Sequence, residues 1–289
     1  MAEARKMVLV DGSSSLYRAY FALPPLSNSR GVPTHAILGF TTMLLKLIRE
    51  EEPDALAVAF DGPGPTTRHH EFADYKAQRP EMPEDMVGQI PYVHRVLEAM
   101  RVPILMIPAE EADDILGTVA VRAATEGYRV TVVSGDKDLF QLVGDRIVVR
   151  DTMKDRTWGP AEVLERYGIP AAQFPDLLGL MGDKIDNIPG VPGIGEKTAR
   201  DLLQRFGAME AVLERAGEIP RLRVRDALQQ HAEQARLSKR LATIRTDLAV
   251  PWTPADLSRK APDIPALLAL CRELELSRLS QQFSQPTLG

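Results

Sequence analysis

The stretch Glu111-Ala-Asp-Asp-Ile-Leu-Gly-Thr-Val-Ala-Val121 places an acidic cluster directly before an apolar run. The spacing of the apolar residues predicts an amphipathic helix that begins at the acids. Just upstream, Ile107 and Pro108 are typical of a strand end, so we expect the cluster at the edge of a sheet. A helix dipole favours acids in the first turn by about 0.3–1 kcal/mol each, which accounts for one or two of these carboxylates. A metal site and a purely local role are both open on this stretch alone.

Other short apolar runs end in the same way. The predicted strands are Met7–Val10, Ala55–Phe60, Val102–Ile107, Arg129–Val133 and Ile147–Val149. Acids follow the first four of them, as Asp11 does after the first strand and Asp61 after the second. Between the strands lie helical patterns, such as Ile37–Ile48 with Thr34 as its predicted cap. This alternation predicts a parallel α/β sheet, whose ligands bind at the carboxyl ends of the strands. One aspartate at a strand end is usually a turn residue, but four acidic ends indicate a shared site.

Residues 63–103 differ from the rest of this half because they are polar and contain no obvious strand. They are locally basic at Lys76 and Arg79, and a polar helix is predicted around Asp85–Met100. Loops that carry function often lie over a sheet edge in this way. We therefore expect this segment to be an insertion above the acidic strand ends.

Helices are predicted at 160–167 and at Phe174–Met181, and the second ends in Gly182-Asp-Lys-Ile-Asp-Asn187. Asp183 and Asp186 are three residues apart, so on a helical turn both would point the same way. The segment from Asp183 onwards thus adds two carboxylates to the acids of the strand ends.

The next stretch, Ile188-Pro-Gly-Val-Pro-Gly-Ile-Gly-Glu-Lys-Thr198, is rich in glycine and is followed by a predicted helix over Lys197–Phe206. It is not a P-loop, because Glu196 separates Gly195 from Lys197 and no strand precedes it. A helix–hairpin–helix fits better, since its turn offers backbone N–H groups to a phosphate at a helix N-terminus. A simple helix–helix turn is the alternative. Beyond it, residues 210–247 predict two or three basic helices, and a single apolar helix is expected at Ile264–Leu276 before a frayed end at 284–289.

Composition sets wider limits. The 289 residues are 44% hydrophobic and 26% charged, which suits one large domain or one large and one small domain. The single cysteine excludes an internal disulfide, and the five histidines show no zinc spacing. No signal peptide is recognisable and no apolar run approaches the roughly 20 residues that span a bilayer, so we expect a soluble, cytoplasmic protein. A net charge of −5 argues against nucleic acid when taken alone, but a clustered acidic site can mask basic surfaces.

The acids gathered by these patterns form one candidate metal-binding set. They are Asp11, Asp61, Glu111, Asp113, Asp114, Asp136, Asp138, Asp183 and Asp186. Carboxylates crowded at one sheet edge repel each other, and their pKa values rise unless they are paired. Hard divalent cations relieve that repulsion, and ligation by oxygen alone suits Mg²⁺ or Mn²⁺ better than zinc.

With these motifs, the chain resembles the 5′-nuclease family, which is flap endonuclease-like and PIN-like. The resemblance is to the bacterial form of the family, which is found at the N-terminus of DNA polymerase I and as free-standing 5′-3′ exonucleases. The matching motifs are Leu9-Val-Asp-Gly12, Phe60-Asp-Gly62, Tyr75-Lys-Ala-Gln-Arg79, Glu111-Ala-Asp-Asp114, Ser134-Gly-Asp-Lys-Asp138, Gly182-Asp-Lys-Ile-Asp-Asn187 and Ile188–Thr198. They keep the family's order, and the resemblance covers the chain to about residue 255. The resemblance implies a PIN-like parallel-sheet catalytic domain over 1–173 with a helical arch at about 63–103. An all-α helix–hairpin–helix DNA-binding domain over 174–255 and a helical tail over 256–289 would follow.

The resemblance also implies a two-metal hydrolysis of DNA phosphodiesters by a 5′-3′ exonuclease or flap endonuclease. One ion would be held mainly by the acids up to Asp114 and the other by the acids from Asp136 onwards. Lys76 and Arg79 would steer the scissile phosphate. Tyr75 would stack on a terminal base or pack inside the protein, and both alternatives are open. The predicted DNA contacts are Arg18, Arg68, Tyr75, Gly190, Gly193, Gly195, Lys197 and Thr198.

The resemblance also implies partners, and two alternative functions are weighed against it. The expected substrate is DNA with a 5′ end or a 5′ flap, and K⁺ would bind hairpin carbonyls as it does in relatives. We expect a free-standing monomer with DNA polymerase I as a functional partner in replication and repair. A PIN-like RNase is the first rival, although such domains are typically shorter and lack the hairpin at 188–199. A non-catalytic DNA-binding scaffold is the second, and it would have damaged metal acids, whereas these are intact.

Overall fold

The computed structural model describes residues 4–284. Its strands are Lys6–Asp11 (β1), Ala55–Ala59 (β2), Ile104–Leu105 (β3), Arg129–Val133 (β4), Ile147–Asp151 (β5) and Arg156–Trp158 (β6). Its α-helices are Gly12–Ala22 (α1), His35–Glu51 (α2), Thr67–Glu71 (α3), Glu84–Val87 (α4), Ile90–Ala99 (α5), Ala112–Thr125 (α6), Pro160–Tyr167 (α7), Phe174–Met181 (α8), Glu196–Phe206 (α9), Met209–Glu214 (α10), Leu222–Gln230 (α11), Ala232–Ala242 (α12), Ile264–Glu273 (α13) and Ser277–Phe283 (α14). The described residues divide into a first unit, residues 4–63, 81–135 and 246–284, and a second unit, residues 64–80 and 136–245.

The first unit contains a parallel sheet in the order β3-β2-β1-β4. Leu9 at the centre of β1 pairs with Ala57 on one side and Val132 on the other. Strands β1 and β2 read as continuous apolar runs because a parallel sheet is covered by helices on both faces. This sheet confirms the parallel α/β prediction and brings the carboxyl ends of its strands to one edge.

Helix α2 is capped differently from the sequence prediction. Thr34 occupies the predicted N-cap position, but its side chain makes no capping hydrogen bond. The fully buried side chain of Gln89 accepts from the backbone N–H groups of Ala36 (2.9 Å) and Ile37 (3.3 Å) instead. A residue distant in sequence thus satisfies N–H groups that the first turn of every helix leaves without a partner.

Two predicted helices are interrupted. The polar helix expected over Asp85–Met100 is divided into α4 and α5, and α5 has a proline in its first turn, where a residue without a backbone N–H is favourable. The apolar helix expected at Ile264–Leu276 ends at Glu273, and α14 follows it. Part of the predicted frayed end, residues 285–289, lies outside the described residues.

The C-terminal helices belong to the core of the first unit. Leu267, Leu270 and Phe283 lie in the same buried cluster as Phe40 of α2 and Val96 of α5. The guanidinium of Arg95 also binds the Glu273 carboxylate with two nitrogens, at 3.1 and 2.7 Å. The tail is therefore packed structure.

The second unit combines helices α3 and α7 to α12 with the antiparallel pair β5–β6. Strand β6 was not predicted, because its three residues lie in a polar stretch. Phe140, Trp158, Tyr167 and Phe174 pack their rings together, with centroids 4.7 Å apart for Phe140 and Trp158. The bounds of α7 and α8 agree with the predicted helices. Across residues 4–284, every helix is too short or too polar to cross a membrane.

Candidate metal centre and nucleic-acid interface

Asp11 is the last residue of β1 and is almost fully buried. One carboxylate oxygen accepts from the backbone N–H of Ser14 at 2.9 Å and caps α1. The other accepts from the hydroxyl of Ser134, directly after β4, at 2.7 Å. These bonds fix the orientation of the Asp11 carboxylate at the carboxyl end of the sheet.

Asp61 is tied to the start of α6. Its Oδ1 accepts from the backbone N–H of Ala112 at 3.0 Å, and its own N–H donates to the Ser13 hydroxyl at 3.1 Å. Gly62 must be a glycine here, because a Cβ atom would lie 1.8 Å from the carbonyl oxygen of Ile107. The loops after β2 and β3 are therefore held against each other.

The acidic cluster Glu111–Asp114 lies at the start of a helix, as expected. Helix α6 begins at Ala112, with Glu111 as its N-cap and Asp113 and Asp114 in its first turn. Glu111 and Asp114 are buried, at 5% and 1% exposure, while Asp113 is half-buried. Burial of two carboxylates is costly without compensating charge, so the helix dipole alone does not explain the cluster.

In the second unit, Asp136 and Asp138 flank Lys137 at the start of a short 3₁₀ helix, Lys137–Leu142. Burial raises the pKa of Asp136, against the effect of the backbone N–H of Asp138, which donates to it at 2.9 Å. Burial also raises the pKa of Asp138 well above its ordinary value, and the charges of Asp136, Asp183 and Asp186 add to that rise. The buried Oδ1 of Asp138 has no hydrogen-bond partner.

Asp183 and Asp186 do not lie on a helical turn, so that expectation is wrong. The backbones of Asp183 and Ile188 exchange two hydrogen bonds (2.9 and 2.7 Å) and close a loop after α8. In this loop Asp183 pairs with Lys137 at 2.8 Å, whereas Asp186 pairs with Arg79 at 2.6 Å. The two carboxylates consequently face different cations.

The cations of the 74–79 segment gather around Asp186. Besides Arg79, the ammonium group of Lys76 lies 3.8 Å from the Asp186 carboxylate. Tyr75 is 3% exposed, and its hydroxyl lies 3.4 Å from the same carboxylate. Its ring packs edge-on against His69. This burial favours the packed alternative for Tyr75 over stacking on a base.

The carboxylates fit divalent cations by their chemistry. All donors are hard oxygen atoms, and an orphaned buried oxygen on Asp138 is the kind of atom that a metal ion satisfies. Within the described part of the chain, no three His, Cys, Asp or Glu side chains stand close enough together to form a ready-made metal cluster. In the second unit the ion pairs of Lys76 and Arg79 are with Asp186, and that of Lys137 is with Asp183.

The position of Arg18 on α1 explains why residue 135 of the Ser134-Gly-Asp-Lys-Asp138 motif is a glycine. A Cβ atom on Gly135 would lie 1.2 Å from Nη2 of Arg18. The guanidinium group therefore occupies the space that any side chain at position 135 would need. The sequence alone gave no reason for this glycine.

Arg68 has a structural position. It is 8% exposed, and its guanidinium donates to the carbonyls of Leu241 (2.8 Å) and Thr243 (2.7 Å) at the C-terminus of α12. Cations favour helix C-termini, where carbonyl groups lack partners. Contact between Arg68 and DNA phosphates stays a prediction, and this burial does not favour it.

The glycine-rich stretch forms the predicted helix–hairpin–helix between α8 and α9. Gly193 and Gly195 are exposed, with open space where a Cβ would lie, and Lys197 is exposed in the first turn of α9. The next residue, Thr198, is half-buried. Gly190 is buried instead, and both of its backbone polar groups are bonded inside the protein. Gly193, Gly195 and Lys197 are thus accessible to a phosphate backbone.

Sequence reasoning missed Asn187 and Ser238. Asn187 has a left-handed backbone (φ 55°) and bonds the 74–79 segment, while Ser238 bonds the hairpin. The one available signal was that Asn187 ends an Asp-Asn pair before a proline turn, since asparagine tolerates the left-handed conformation.

Two family models together match residues 6–265. The family model described as "5'-3' exonuclease, N-terminal resolvase-like domain" matches residues 6–168, and "5'-3' exonuclease, C-terminal SAM fold" matches 169–265. The chain is 45% identical over 287 residues to DNA polymerase I of Bacillus caldotenax, covering 98% of the chain but 33% of that relative. It is 39% identical over 282 residues to the 5'-3' exonuclease of Aquifex aeolicus (strain VF5), covering 96% of the chain and 95% of the relative.

Solved structures share the fold. The T5 5'-exonuclease bound to zinc has a TM-score of 0.70 at 20% identity and covers 96% of this chain and 98% of its own. The catalytic core of Rad2 in complex with a DNA substrate has a TM-score of 0.67 at 16% identity, with coverage of 98% and 92%. The predicted fold class, a parallel-sheet core with a helical domain after it, is confirmed.

Proposed function

This chain belongs to the 5′-3′ exonuclease family, and on that premise we propose that it is a divalent-metal-dependent 5′-3′ exonuclease and 5′-flap endonuclease acting on DNA. It spans about a third of the length of the DNA polymerase I relatives and nearly all of the Aquifex exonuclease. The observation that carries the proposal is the acidic group of the second unit. There Asp138 keeps an orphaned buried oxygen beside carboxylates whose charges raise its pKa.

We assign one set of metal ligands to each unit, for two ions of Mg²⁺ or Mn²⁺. The first set is Asp11, Asp61, Glu111, Asp113 and Asp114, and the second is Asp136, Asp138, Asp183 and Asp186. When bound, such ions lower the pKa of water and neutralise charge on a phosphodiester. The assignment of the carboxylates to two sets is supported by two observations: each set lies within one unit, and each consists of oxygen ligands alone.

The cationic side chains have a separate task. Lys76 and Arg79 bind the scissile phosphate and offset the charge that develops on it. Arg18 holds a neighbouring phosphate from its place against Gly135. The backbone of the exposed Gly193 and Gly195, together with Lys197, binds a duplex backbone, as helix N-termini bind anions. Carbonyl groups of the same hairpin provide the proposed K⁺ site.

The substrate in this proposal is DNA with a 5′ end or a 5′ flap, recognised by shape, because phosphate contacts carry no base code. DNA complexes among the structural neighbours and the DNA polymerase I relatives support it. The same relatives support DNA polymerase I as a functional partner in replication and repair. A monomer in the cytoplasm is part of this proposal.

The deciding variant is Asp114→Asn, with Glu126→Gln at the exposed opposite end of α6 as its matched control. We expect Asp114→Asn to abolish Mg²⁺-dependent cleavage of a 5′-labelled flap while duplex binding in Ca²⁺ persists. The control should cleave like the unmodified protein. Product sizes from a flap, a nick and a blunt duplex give the balance between exonuclease and endonuclease activity. Full cleavage by Asp114→Asn would refute the assignment of the first set.

A further inference from the structure

The loop that carries Asp183 and Asp186 is held on two sides inside the second unit. On one side, the hairpin residue Gly190 donates its N–H to the hydroxyl of Ser238 at 3.0 Å. The carbonyl of Gly190 accepts from the side-chain amide of Gln234 at 2.6 Å. Gln234 and Ser238 both lie on α12, and Ser238 is fully buried. The hairpin is therefore fixed to α12 through Gly190.

Gly190 is also packed directly onto the carboxylate loop. A Cβ atom on Gly190 would lie 2.2 Å from the backbone nitrogen of Gly182, and one on Gly182 would lie 2.4 Å from the carbonyl oxygen of Ile188. Both glycines have left-handed backbones, with φ of 60° and 72°. Because the two backbones touch, a displacement of the hairpin displaces the loop.

On the other side, Asn187 links the loop to the segment 74–79. Its amide nitrogen donates to the carbonyl of Asp74 at 2.7 Å, and its amide oxygen accepts from the side chain of Gln78 at 3.2 Å. Beside it, the backbone N–H of Lys76 donates to the carbonyl of Asp186 at 3.0 Å. The backbone that presents the Lys76 and Arg79 side chains is thus bonded to the backbone that presents Asp186.

We propose that Asn187, together with Ser238, forms a positioning relay that couples the seating of a duplex on the hairpin to the placement of Lys76 and Arg79. The relay runs from α12 through Gly190 and the loop 182–188 to the segment 74–79. This inference rests on the proposed function, since it assigns the relay to phosphodiester cleavage. It requires neither Asn187 nor Ser238 to touch the substrate.

Asn187→Gly is the sharpest test, because glycine keeps the left-handed backbone (φ 55°) and removes only the side chain. Lys184→Ala is its matched control, on the same loop and exposed. We expect the single-turnover cleavage rate of Asn187→Gly to fall by about 10–100-fold, the size of effect that a small misplacement of catalytic groups produces. Its duplex Kd in Ca²⁺ should stay within about twofold, and the control should change neither quantity.

Ser238→Ala tests the other end of the relay, and hydrogen exchange tests the Asn187 end without an activity assay. Ser238→Ala should lower the cleavage rate and weaken duplex binding. The double variant should lose less than the product of the two single losses, because both substitutions break one chain of contacts. The backbone amide of Lys76 should exchange faster in Asn187→Gly than in Lys184→Ala.

The outcomes separate the relay from the proposed function. If the unmodified protein cleaves no flap, the proposed function fails, and the Lys76 exchange rate still tests the relay. If it cleaves and Asn187→Gly matches it in both rate and Lys76 exchange, the relay is overturned. Losses that multiply in the double variant would likewise refute the coupling, because independent sites give independent effects.

Discussion

Replacing Asp138 by asparagine should stabilise the metal-free protein. Asp138 is 8% exposed, and one of its oxygens has no hydrogen-bond partner. Burial and the charges of three carboxylates raise its pKa, while Lys137 opposes them, so its ionised form is destabilising at neutral pH. The amide keeps the shape of the side chain and its backbone N–H, which donates to Asp136. The substitution therefore removes an unfavourable charge and little else.

The magnitude follows from the extra cost of burying a charge. An unpartnered buried polar group costs about 1–3 kcal/mol and a charged one costs more, so exchanging the carboxylate for a neutral amide should recover an amount of the same order, about 1–3 kcal/mol. Because 1 kcal/mol shifts Tm by about 2–4 °C in a protein of this size class, Asp138→Asn should raise Tm by about 2–12 °C in EDTA at pH 7.5. A group whose folded-state pKa is raised destabilises the folded protein once the pH exceeds its unfolded pKa. The gain should accordingly shrink as the pH falls towards the ordinary pKa of an aspartate.

Thermal denaturation in EDTA and in Mg²⁺ measures both parts of this expectation. Mg²⁺ should stabilise the unmodified protein more than Asp138→Asn, because ligand binding to the folded state raises stability by mass action. Asp201→Asn, which removes an exposed carboxylate on α9, is the control and should leave Tm unchanged. A Tm for Asp138→Asn at or below that of the unmodified protein in EDTA would show that the Asp138 charge is already compensated.

Three further outcomes are expected. Gly135→Ala should displace the Arg18 guanidinium and weaken flap binding, with little change in Tm. Gly144→Ala, where the added Cβ atom meets open space, should change neither flap binding nor Tm. Equal flap Kd values for the two variants would contradict the packing of Arg18 against Gly135. Lys197→Ala should weaken duplex binding and lower the magnitude of the slope of log K against log salt by about 0.9, which corresponds to the loss of one phosphate contact. The control is Lys260→Ala, at an exposed lysine, which should leave the slope unchanged. If Lys197→Ala has the same slope as the control, Lys197 does not contact the duplex. Ca²⁺ should raise Tm more at pH 7.5 than at pH 5.5, because the carboxylates with raised pKa values bind cations only once they are ionised. An increase in Tm that does not depend on pH would refute the role of Asp136 and Asp138 as ligands.

The sequence predicted features that depend on local pattern. Apolar runs ending in acids located β1, β2 and β4, and the bounds of α7 and α8 followed from periodicity and from proline at or near their starts. Local pattern failed where a distant residue decides the outcome. Gln89 caps α2 across 53 positions of sequence, and no feature of the α2 sequence indicates it. A polar residue that is buried for such a purpose looks like a surface residue until its partner is known.

For the carboxylates, too, the sequence predicts the features that depend on local pattern and not those that depend on distant residues. Their identity and chemistry could be read from the sequence, because oxygen ligands and crowding imply hard cations whatever the exact geometry. Their pairing could not, since Asp186 pairs with Arg79 across 107 positions and Asp183 pairs with Lys137 across 46 positions. A spacing of three residues indicates a shared direction only on a helix, and the bridge between Asp183 and Ile188 excludes a helix there. Asn187, which bonds the 74–79 segment, has a left-handed backbone that an α-helical turn does not allow at this position.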